Sequence, residues 1–372
     1  MTQPDSALRI LTTQGEDADL WERSFDRLHA RHKDIHFTVG YARAHERTYG
    51  CEILLALYAK DDCYILMPFG LRDVGQLPFA AKTALDGPVY DMTSIYSFGG
   101  PIARLSDRST SRRLYCDFQK ALERYCAECR IVSQFTAFHP LLANHKDPQE
   151  TGLVDVRRRK EVVWIDLRKD EHTLFQEMTK NHRRAISQAR RRGVVAEPIV
   201  PDTAGLDVFK ELYFDTMHRV GASARWFFPD SYFYDCVTCL GSDHVSLFHA
   251  KKDGRTLASA FVLRSNKIAY YHLSGSRKDF LNLRPNHLLI YELALWAKAL
   301  GCQQLHLGGG LEPGDSLFRF KAGFSGCRSS FYTASAIYDP QLYRQLCAAR
   351  DEWDRANGLE PQPTNFFPAY RR

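Results

Sequence analysis

The residues best suited to chemistry form a short motif late in the chain. Gly308, Gly309 and Gly310 follow a short apolar strand, and the pair Phe320-Lys321 follows a second turn. A strand that runs into a glycine-rich turn exposes backbone N–H groups, and Lys321 adds a mobile positive charge among aromatic side chains. This pattern suits an anionic or polarised group. The alternative is a tight turn before an amphipathic helix whose lysine extends to water.

Positive charge is concentrated near the middle of the chain. The 50 Lys and Arg residues exceed the 44 Asp and Glu residues, and the formal net charge is +6. A basic surface attracts nucleic acid or other phosphates. The same charges are also typical of a solvated helix near its C-terminus. The residues predicted to contact phosphate are Lys180, Arg183, Arg184, Arg190, Arg191 and Arg192.

The ten cysteines do not form the disulfide framework of a small secreted protein. Two pairs have CxxC spacing, Cys126/Cys129 and Cys236/Cys239, and a four-thiolate zinc site is conceivable. Both pairs, however, lie in aromatic-rich segments that are predicted to be helical and that lack the turn glycines of a zinc knuckle. We therefore expect buried, reduced thiols and no metal.

Two features of the sequence indicate the compartment. No apolar run reaches the roughly 18 to 20 residues that span a bilayer. The first ten residues have neither a basic region nor the apolar region of a secretory signal. We therefore expect a cytoplasmic protein.

The elements around the motif predict a mixed α/β (α+β) protein. Residues 52–60 and 63–72 form one predicted hairpin, and a second has its turn at Asp253-Gly254. The apolar spacing after Asp170 predicts one long helix that ends near Gly193. The segments 57–72 and 248–264 resemble each other, which indicates two related domains. We place them at 1–158 and 159–372, the second with the C-terminal helix and tail.

A family resemblance rests on several of these segments. The runs YYHLSGS, RPNHLLIYELALWAKALG and LHLGGG…DSLFRFKAGFS resemble the C-terminal half of the Fem-type aminoacyl transferases. The helix MTKNHRRAISQARRRGV resembles the basic helix of that family. The likeness covers roughly residues 160–335, and the first domain matches more loosely through its hairpin and its YSFGGP loop. It implies two tandem GNAT-like N-acyltransferase domains, each a mixed, mostly antiparallel sheet flanked by helices.

The resemblance also implies an activity. Fem-type enzymes move an aminoacyl group from aminoacyl-tRNA to an amine of a peptidoglycan precursor, and relatives of the same fold acylate amines of sugars or natural products. For this chain we expect transfer to an amine of a peptidoglycan precursor or of a peptide-like small molecule. In the family the Phe-Lys pair lies in the active site, which here falls on Phe320 and Lys321. The basic helix would then contact tRNA phosphates, and no cofactor is implied. The sequence has no room for the long coiled-coil arm that some members carry.

Amide formation needs a stabilised oxyanion and a route for the proton of the amine. Lys321 is the candidate for the first role. Tyr270 and His272, on a strand that faces the same region in this fold, are candidates for positioning or proton relay. Alternation places these two on one face of the strand and Tyr271 on the other. The predicted substrate-binding residues are Phe320, Gly308, Gly309, Gly310, Tyr271, Arg219 and Tyr96.

Two other functions stay open. An acyl-CoA-dependent N-acyltransferase, acting on an amino sugar or natural-product amine, would hold the pyrophosphate with a glycine-rich turn between a strand and the next helix. Here that connection has no glycine after Gly275, and Pro285 removes a further N–H, so CoA is disfavoured at the usual place. A non-catalytic binding protein on the same fold would keep its function without Lys321.

Overall fold

A computed structural model of the chain describes residues 7–83, 85–361 and 365–372. These residues form two compact units. The first unit contains residues up to 32, 36–159 and 331–372, and the second contains residues 33–35 and 160–330. Residues 1–6, part of the segment in which a secretory signal was judged absent, lie outside the described residues. Within these ranges, no helix combines the length and the hydropathy that a bilayer span requires.

The strands and helices follow in chain order. The strands are β1 (Leu8–Leu11), β2 (Glu52–Lys60), β3 (Cys63–Asp73), β4 (Tyr90–Thr93), β5 (Ile102–Arg104), β6 (Ile131–Ala137), β7 (Val156–Asp166), β8 (Val195–Ile199), β9 (Val245–Lys252), β10 (Arg255–Ser265), β11 (Ile268–Ser276), β12 (Gln304–Gly308) and β13 (Arg328–Ile337). The helices are α1 (Gly15–Asp26), α2 (Val39–Tyr49), α3 (Ser111–Glu128), α4 (Lys146–Thr151), α5 (Glu171–Glu177), α6 (Lys180–Arg191), α7 (Thr203–Arg219), α8 (Ser231–Leu240), α9 (Pro285–Ala299), α10 (Ser316–Ala322) and α11 (Pro340–Ala356).

Each unit is built on a mixed sheet. In the first unit β1, β2, β3 and β4 pair antiparallel in sequence, β5 pairs with β3, and β4 runs parallel to β6. In the second unit β8, β9, β10 and β11 pair antiparallel, β11 runs parallel to β12, and β12 is antiparallel to β7. Both predicted hairpins, β2–β3 and β9–β10, are present, and the predicted mixed and mostly antiparallel fold is confirmed.

The C-terminal segment lies in a different unit from the domain to which the sequence assigned it. The strand β13 pairs antiparallel with β6, from Thr333 opposite Ala137 to Ile337 opposite Ser133. Helix α11 and the tail then share an apolar cluster with β6. Residues 331–372 therefore belong to the first unit, because their hydrogen bonds and buried side chains are there. The sequence alone placed them in the domain of 159–372.

The long helix predicted from Asp170 to Gly193 is interrupted, so that prediction was wrong. Met178 has extended backbone angles (φ −67, ψ 150), and Thr179 begins a new helix by accepting a hydrogen bond from the amide of His182. The amide of Thr179 itself donates to the carbonyl of Gly323 at 2.9 Å. The break therefore joins the start of α6 to the end of α10, which the apolar spacing could not reveal.

The core of the second unit lies between its sheet and the helices α5, α6 and α9. Ile186 of α6 and Leu289 of α9 are fully buried there beside strand residues such as Ala258 and Leu305. On another side, α7 lies directly on β11: a Cβ atom at Gly275 would stand 2.2 Å from the carbonyl oxygen of Leu212. These contacts hold β11, which carries Tyr270, Tyr271 and His272, and β12, which ends at Gly308.

Candidate functional site

The turn after β12 requires all three of its glycines. Gly308 has a φ of +77°, a conformation that costs other residues energy. A Cβ atom at Gly309 would lie 2.8 Å from the carbonyl oxygen of Glu161, and one at Gly310 would lie 2.1 Å from Oδ1 of Asp315. The turn is therefore packed tightly against β7 on one side and against the start of α10 on the other.

Asp315 begins the helix that carries Lys321. Its carboxylate accepts hydrogen bonds from the amides of Leu311 (2.7 Å), Glu312 (3.1 Å) and Phe318 (2.7 Å). A carboxylate that caps a helix N-terminus stabilises the first turn of that helix. These contacts also occupy two of the amides that follow the three glycines, so they are not directed at a substrate.

Lys321 lies against the turn through its ammonium group. Its Nζ donates to the carbonyl of Gly309 at 2.9 Å, and Nζ of Lys160, on β7, donates to the carbonyl of Gly310 at 2.7 Å. Burial, and after it the nearby charge of Lys160, lower the pKa of Lys321 to about 8, although Asp315 acts in the opposite direction. The site thus contains two neighbouring ammonium groups, each hydrogen-bonded to a carbonyl of the turn.

His182 fixes the helix on which Lys321 stands. One ring nitrogen lies 2.8 Å from the carbonyl oxygen of Phe320, and the other lies 2.9 Å from the hydroxyl of Thr179. A Cβ atom at Gly323 would lie 2.1 Å from the His182 ring, so the two helices touch closely. The ring of Phe320 also meets His287 edge-on, with centroids 5.1 Å apart. Neither His182 nor His287 had been predicted as part of the site.

Tyr270 lies close to this cluster along the sheet. It pairs in register with His306, two residues before Gly308, and the two rings have centroids 5.7 Å apart. Its hydroxyl donates to Asp34, a fully buried carboxylate among the three early residues that belong to the second unit. Sequence analysis missed Asp34, because it lies 236 positions away with no motif around it.

The other predicted residues of β11 and α7 have separate partners. Tyr271 packs on the apolar cluster of α9, and burial raises its pKa to about 12. Nε2 of His272 lies 2.8 Å from the hydroxyl of Tyr232 on α8. Arg219 donates to the carbonyl of Ser276 at 2.8 Å. His272 and Arg219 thus have partners on other elements of the unit, and their predicted functions stay predictions, whereas Lys321, Phe320 and the three glycines form one cluster.

The six predicted phosphate-binding residues fall into two groups. Three make contacts within the unit: Arg183 donates to two backbone carbonyls, Arg190 pairs with Glu292 at 2.6 Å, and Arg192 donates to the carbonyl of Asn282. The others are exposed, and the described part of the chain offers them no hydrogen-bond or ion-pair partner. These three, defined here as the basic stripe, are Lys180, Arg184 and Arg191.

Tyr96 lies in the first unit, beside a cavity of about 640 Å³ within that unit. The hydroxyl of Tyr41 donates to the carbonyl of Tyr96 at 2.8 Å, which fixes the backbone at the cavity wall. Arg72 and Arg371 also line the cavity, and both guanidinium groups pair with the buried carboxylate of Asp91. The cavity therefore combines aromatic, hydroxyl and guanidinium groups.

The connection between β11 and α9 has few amides left for a ligand. The amides of Arg277, Phe280, Arg284 and His287 donate to backbone carbonyls, and that of Ser276 donates to the hydroxyl of Thr216. This is where an acyl-CoA-dependent enzyme of the fold would hold a pyrophosphate. Together with the missing glycines, these occupied amides disfavour the binding of a CoA pyrophosphate at this connection.

The cysteines of the two CxxC pairs are all free thiols. Burial raises the pKa of Cys126 and Cys236 well above the usual range of a thiol. A metal site needs thiolates, which a raised pKa disfavours.

Comparison with known proteins gives the family context. Residues 176–321 match the domain family described as acetyltransferase (GNAT) domain. A UDP-N-acetylmuramoylpentapeptide-lysine N(6)-alanyltransferase from Weissella viridescens is 23% identical over 290 residues, which cover 74% of this chain and 84% of the relative. The predicted likeness to Fem-type transferases is confirmed. So is the assignment of the chain as an acyltransferase enzyme, since the matched domain and the relative both carry that class of activity.

Solved structures support the fold. The structure of FemX matches with a TM-score of 0.63 and 13% identity, over 90% of this chain and 99% of FemX. The structure of L-PGS from Bacillus licheniformis matches with a TM-score of 0.52 and 12% identity, over 91% of this chain and 97% of that one. Because each of these alignments covers at least 90% of this chain, the similarity of fold includes both units.

Proposed function

We propose that the protein transfers an aminoacyl group from aminoacyl-tRNA to an amine of a peptidoglycan precursor. The acceptor class follows from the Weissella relative, which is named for alanyl transfer to the lysine of such a precursor. The observation that carries the proposal is the half-buried ammonium of Lys321, fixed against a turn with no room for side chains. With aminoacyl-tRNA as the proposed donor, the reaction would take place in the cytoplasm.

The residues would act on the ester as follows. The amine nitrogen attacks the ester carbonyl carbon, a C–N bond forms, and the carbonyl oxygen becomes an oxyanion. The charged Lys321 stabilises that oxyanion. The proton of the amine passes to the Tyr270 hydroxyl as that group gives its own proton to Asp34. The C–O ester bond then breaks, and the relay returns the proton to the leaving ribose oxygen.

A transfer assay tests this proposal. The purified protein is incubated with tRNA charged with a labelled amino acid and with a UDP-linked muramoyl-pentapeptide, and label in the peptide is measured. Lys321→Met is expected to lower the rate by about 10²- to 10³-fold, the usual cost of one oxyanion donor. Lys298→Met is the control, because Lys298 also donates to a backbone carbonyl, that of Leu167, at 2.9 Å.

Other results would point elsewhere. Release of free CoA thiol from acetyl-CoA, with no transfer from tRNA, would show that the donor is an acyl-CoA and not aminoacyl-tRNA. Full activity in Lys321→Met would contradict the role of Lys321. Binding of the precursor without turnover of any donor would favour a binding protein on this fold.

The basic stripe supports a tRNA donor. Lys180, Arg184 and Arg191 are separated by four and seven residues, so at 100° per residue they lie within about 40° of one another. The stripe runs about 16 Å along α6, enough to contact several phosphates. Because His182 of the same helix contacts Phe320, the stripe is connected directly to the helix of Lys321.

A salt series tests the stripe. Replacing its three residues by Gln is expected to weaken tRNA binding and to reduce the slope of log K against log salt by about 2 to 3. The control replaces three exposed cations of α3 by Gln: Arg112, Arg113 and Lys120. Both variants lose the same charge, so equal slopes would show that only net charge matters and would exclude the stripe as the binding surface.

The cavity of the first unit is the proposed site for part of the acceptor. Tyr96 supplies an aromatic wall, and Arg72 and Arg371 supply cations suited to the carboxylates and phosphates of such a precursor. Tyr96→Ala is expected to raise the KM for the precursor with little change for the donor. An unchanged KM would remove Tyr96 from the site.

A further inference from the structure

Lys160 contacts the candidate site although nothing in its sequence context indicates such a contact. In the sequence it ends the basic run Arg157-Arg158-Arg159-Lys160, which favours an exposed position. In the structure it is half-buried, and its Nζ donates to the carbonyl of Gly310 at 2.7 Å. Lys321 donates to the preceding carbonyl, that of Gly309, at 2.9 Å. Two ammonium groups from distant segments thus bind adjacent carbonyls of one turn.

We propose that Lys160 is a positioning residue for Lys321: it fixes the turn on which Lys321 lies and supplies the neighbouring positive charge. The inference deepens the proposed function and rests on it. Lys160 itself does not need to touch either substrate.

The geometry explains why this contact holds the turn. The Cα of Gly309 faces β7 so closely that an added Cβ atom would lie 2.8 Å from the carbonyl oxygen of Glu161 and 3.7 Å from the side chain of Lys160. The aliphatic part of Lys160 therefore packs on one glycine while its ammonium binds the next. The glycines have no side chains to anchor the turn, so its position depends on these two contacts together with its close packing against β7 and Asp315.

Lys160 is the cation whose charge most disfavours the protonated form of Lys321. After burial, Lys160 is the strongest influence that lowers the pKa of Lys321, and Asp315 acts in the opposite direction. Lys160 in turn has its pKa lowered by burial and Arg225 and raised by Asp315 and Glu312.

Two histidines flank the neighbouring residue Phe320. Burial lowers the pKa of His182, and burial together with the charges of His182 and Arg284 lowers that of His287 to about 4. Both rings are therefore neutral where Lys321 titrates. They do not account for its shift.

Removing the charge of Lys160 is expected to raise the pKa of Lys321. A lysine with a lowered pKa is charged at low pH and loses its charge as pH rises through about 8. Without the charge of Lys160, Lys321 would stay charged to higher pH. The variant Lys160→Gln can still donate a hydrogen bond to Gly310, whereas Lys160→Met cannot. The two variants therefore separate the charge of Lys160 from its hydrogen bond.

Competitive labelling measures the protonation of Lys321 directly and needs no substrate. The protein is treated with trace acetic anhydride between pH 6 and 11, and acetylation of Lys321 is quantified by peptide mass spectrometry. Lys160→Gln is expected to raise the labelling midpoint by at least about 0.5 pH unit, so that labelling at pH 7 falls about threefold. Lys298→Gln, the matched control, is expected to leave the midpoint unchanged.

Activity supplies the second measurement. In Lys160→Gln the loss of transfer at alkaline pH is expected to move upward with the labelling midpoint, and Lys160→Met is expected to lose rate at all pH values. An unchanged Lys321 midpoint in both variants would overturn the inference. If the midpoint shifts but no variant or wild-type protein transfers an aminoacyl group, the proposed function fails while the coupling of the two lysines stands.

Discussion

Replacing Gly310 by alanine tests whether the packing of the turn controls the site. The new Cβ atom would stand 2.1 Å from Oδ1 of Asp315, about 1 Å closer than a carbon and an oxygen can approach. The carboxylate would have to move by about that amount. Its bond to the amide of Phe318, now 2.7 Å, would then lengthen to about 3.7 Å and be lost.

The expected loss of activity can be calculated from the capping role of that hydrogen bond. Loss of a helix N-cap costs about 0.5–2 kcal/mol. Helix α10 has only seven residues, so this loss acts mainly on the helix that presents Lys321. If the full cost falls on the active position of Lys321, about 2 kcal/mol corresponds to a fall of about 30-fold in kcat/KM.

The assay compares Gly310→Ala with Gly326→Ala in aminoacyl transfer and thermal unfolding. Gly326 has a negative φ and no heavy atom within 4 Å of an added Cβ, so its variant is expected to keep full activity. Gly310→Ala is expected to lose activity with a Tm change of only a few degrees. Equal activity in the two variants would refute the reasoning, because the clash with Asp315 would then have no functional consequence.

Three further predictions concern contacts that sequence analysis did not find. Tyr270→Phe removes the donor to Asp34 and is expected to lower kcat about 10²-fold with little change in KM; an equal rise in KM would show a binding role instead. His182→Ala removes the hydrogen-bond partner of the Phe320 carbonyl. It is expected to lower the rate of aminoacyl transfer without abolishing tRNA binding, with both measured on the same protein preparation. Arg371→Gln leaves buried Asp91 with fewer partners and is expected to cost about 1–3 kcal/mol in urea unfolding; an unchanged midpoint would contradict a structural role for the tail.

The sheet could be predicted from the sequence because its signals are local. Each hairpin has two continuous apolar runs joined by a turn of two residues, so neighbouring segments of the chain define it. The place of the last 42 residues could not be predicted in this way. The partner of β13 is β6, nearly 200 positions earlier, and the amphipathic pattern of α11 fits any apolar surface.

The residues of the candidate site also differ in whether the sequence could predict them. The glycines, Phe320 and Lys321 are close in sequence, and the resemblance to the Fem-type family identifies them together. Lys160, His182 and Asp34 contact this region or Tyr270 across 150, 138 and 236 positions. Their residue types are ordinary for a basic run, a helix start and a turn. Only the tertiary structure shows these contacts.

At the glycine turn the sequence motif indicates a candidate site but not which backbone groups that site presents. Three glycines after a strand predicted exposed amides that would bind an oxyanion together with Lys321. The structure instead directs two turn carbonyls at Lys321 and Lys160, and Asp315 takes the amides of Leu311 and Glu312. The glycines are needed because β7 and Asp315 leave no room for a Cβ atom. In the proposed mechanism the ammonium of Lys321 therefore stabilises the oxyanion without these amides, and the proposed role of Lys160 is to set the position and protonation of that ammonium.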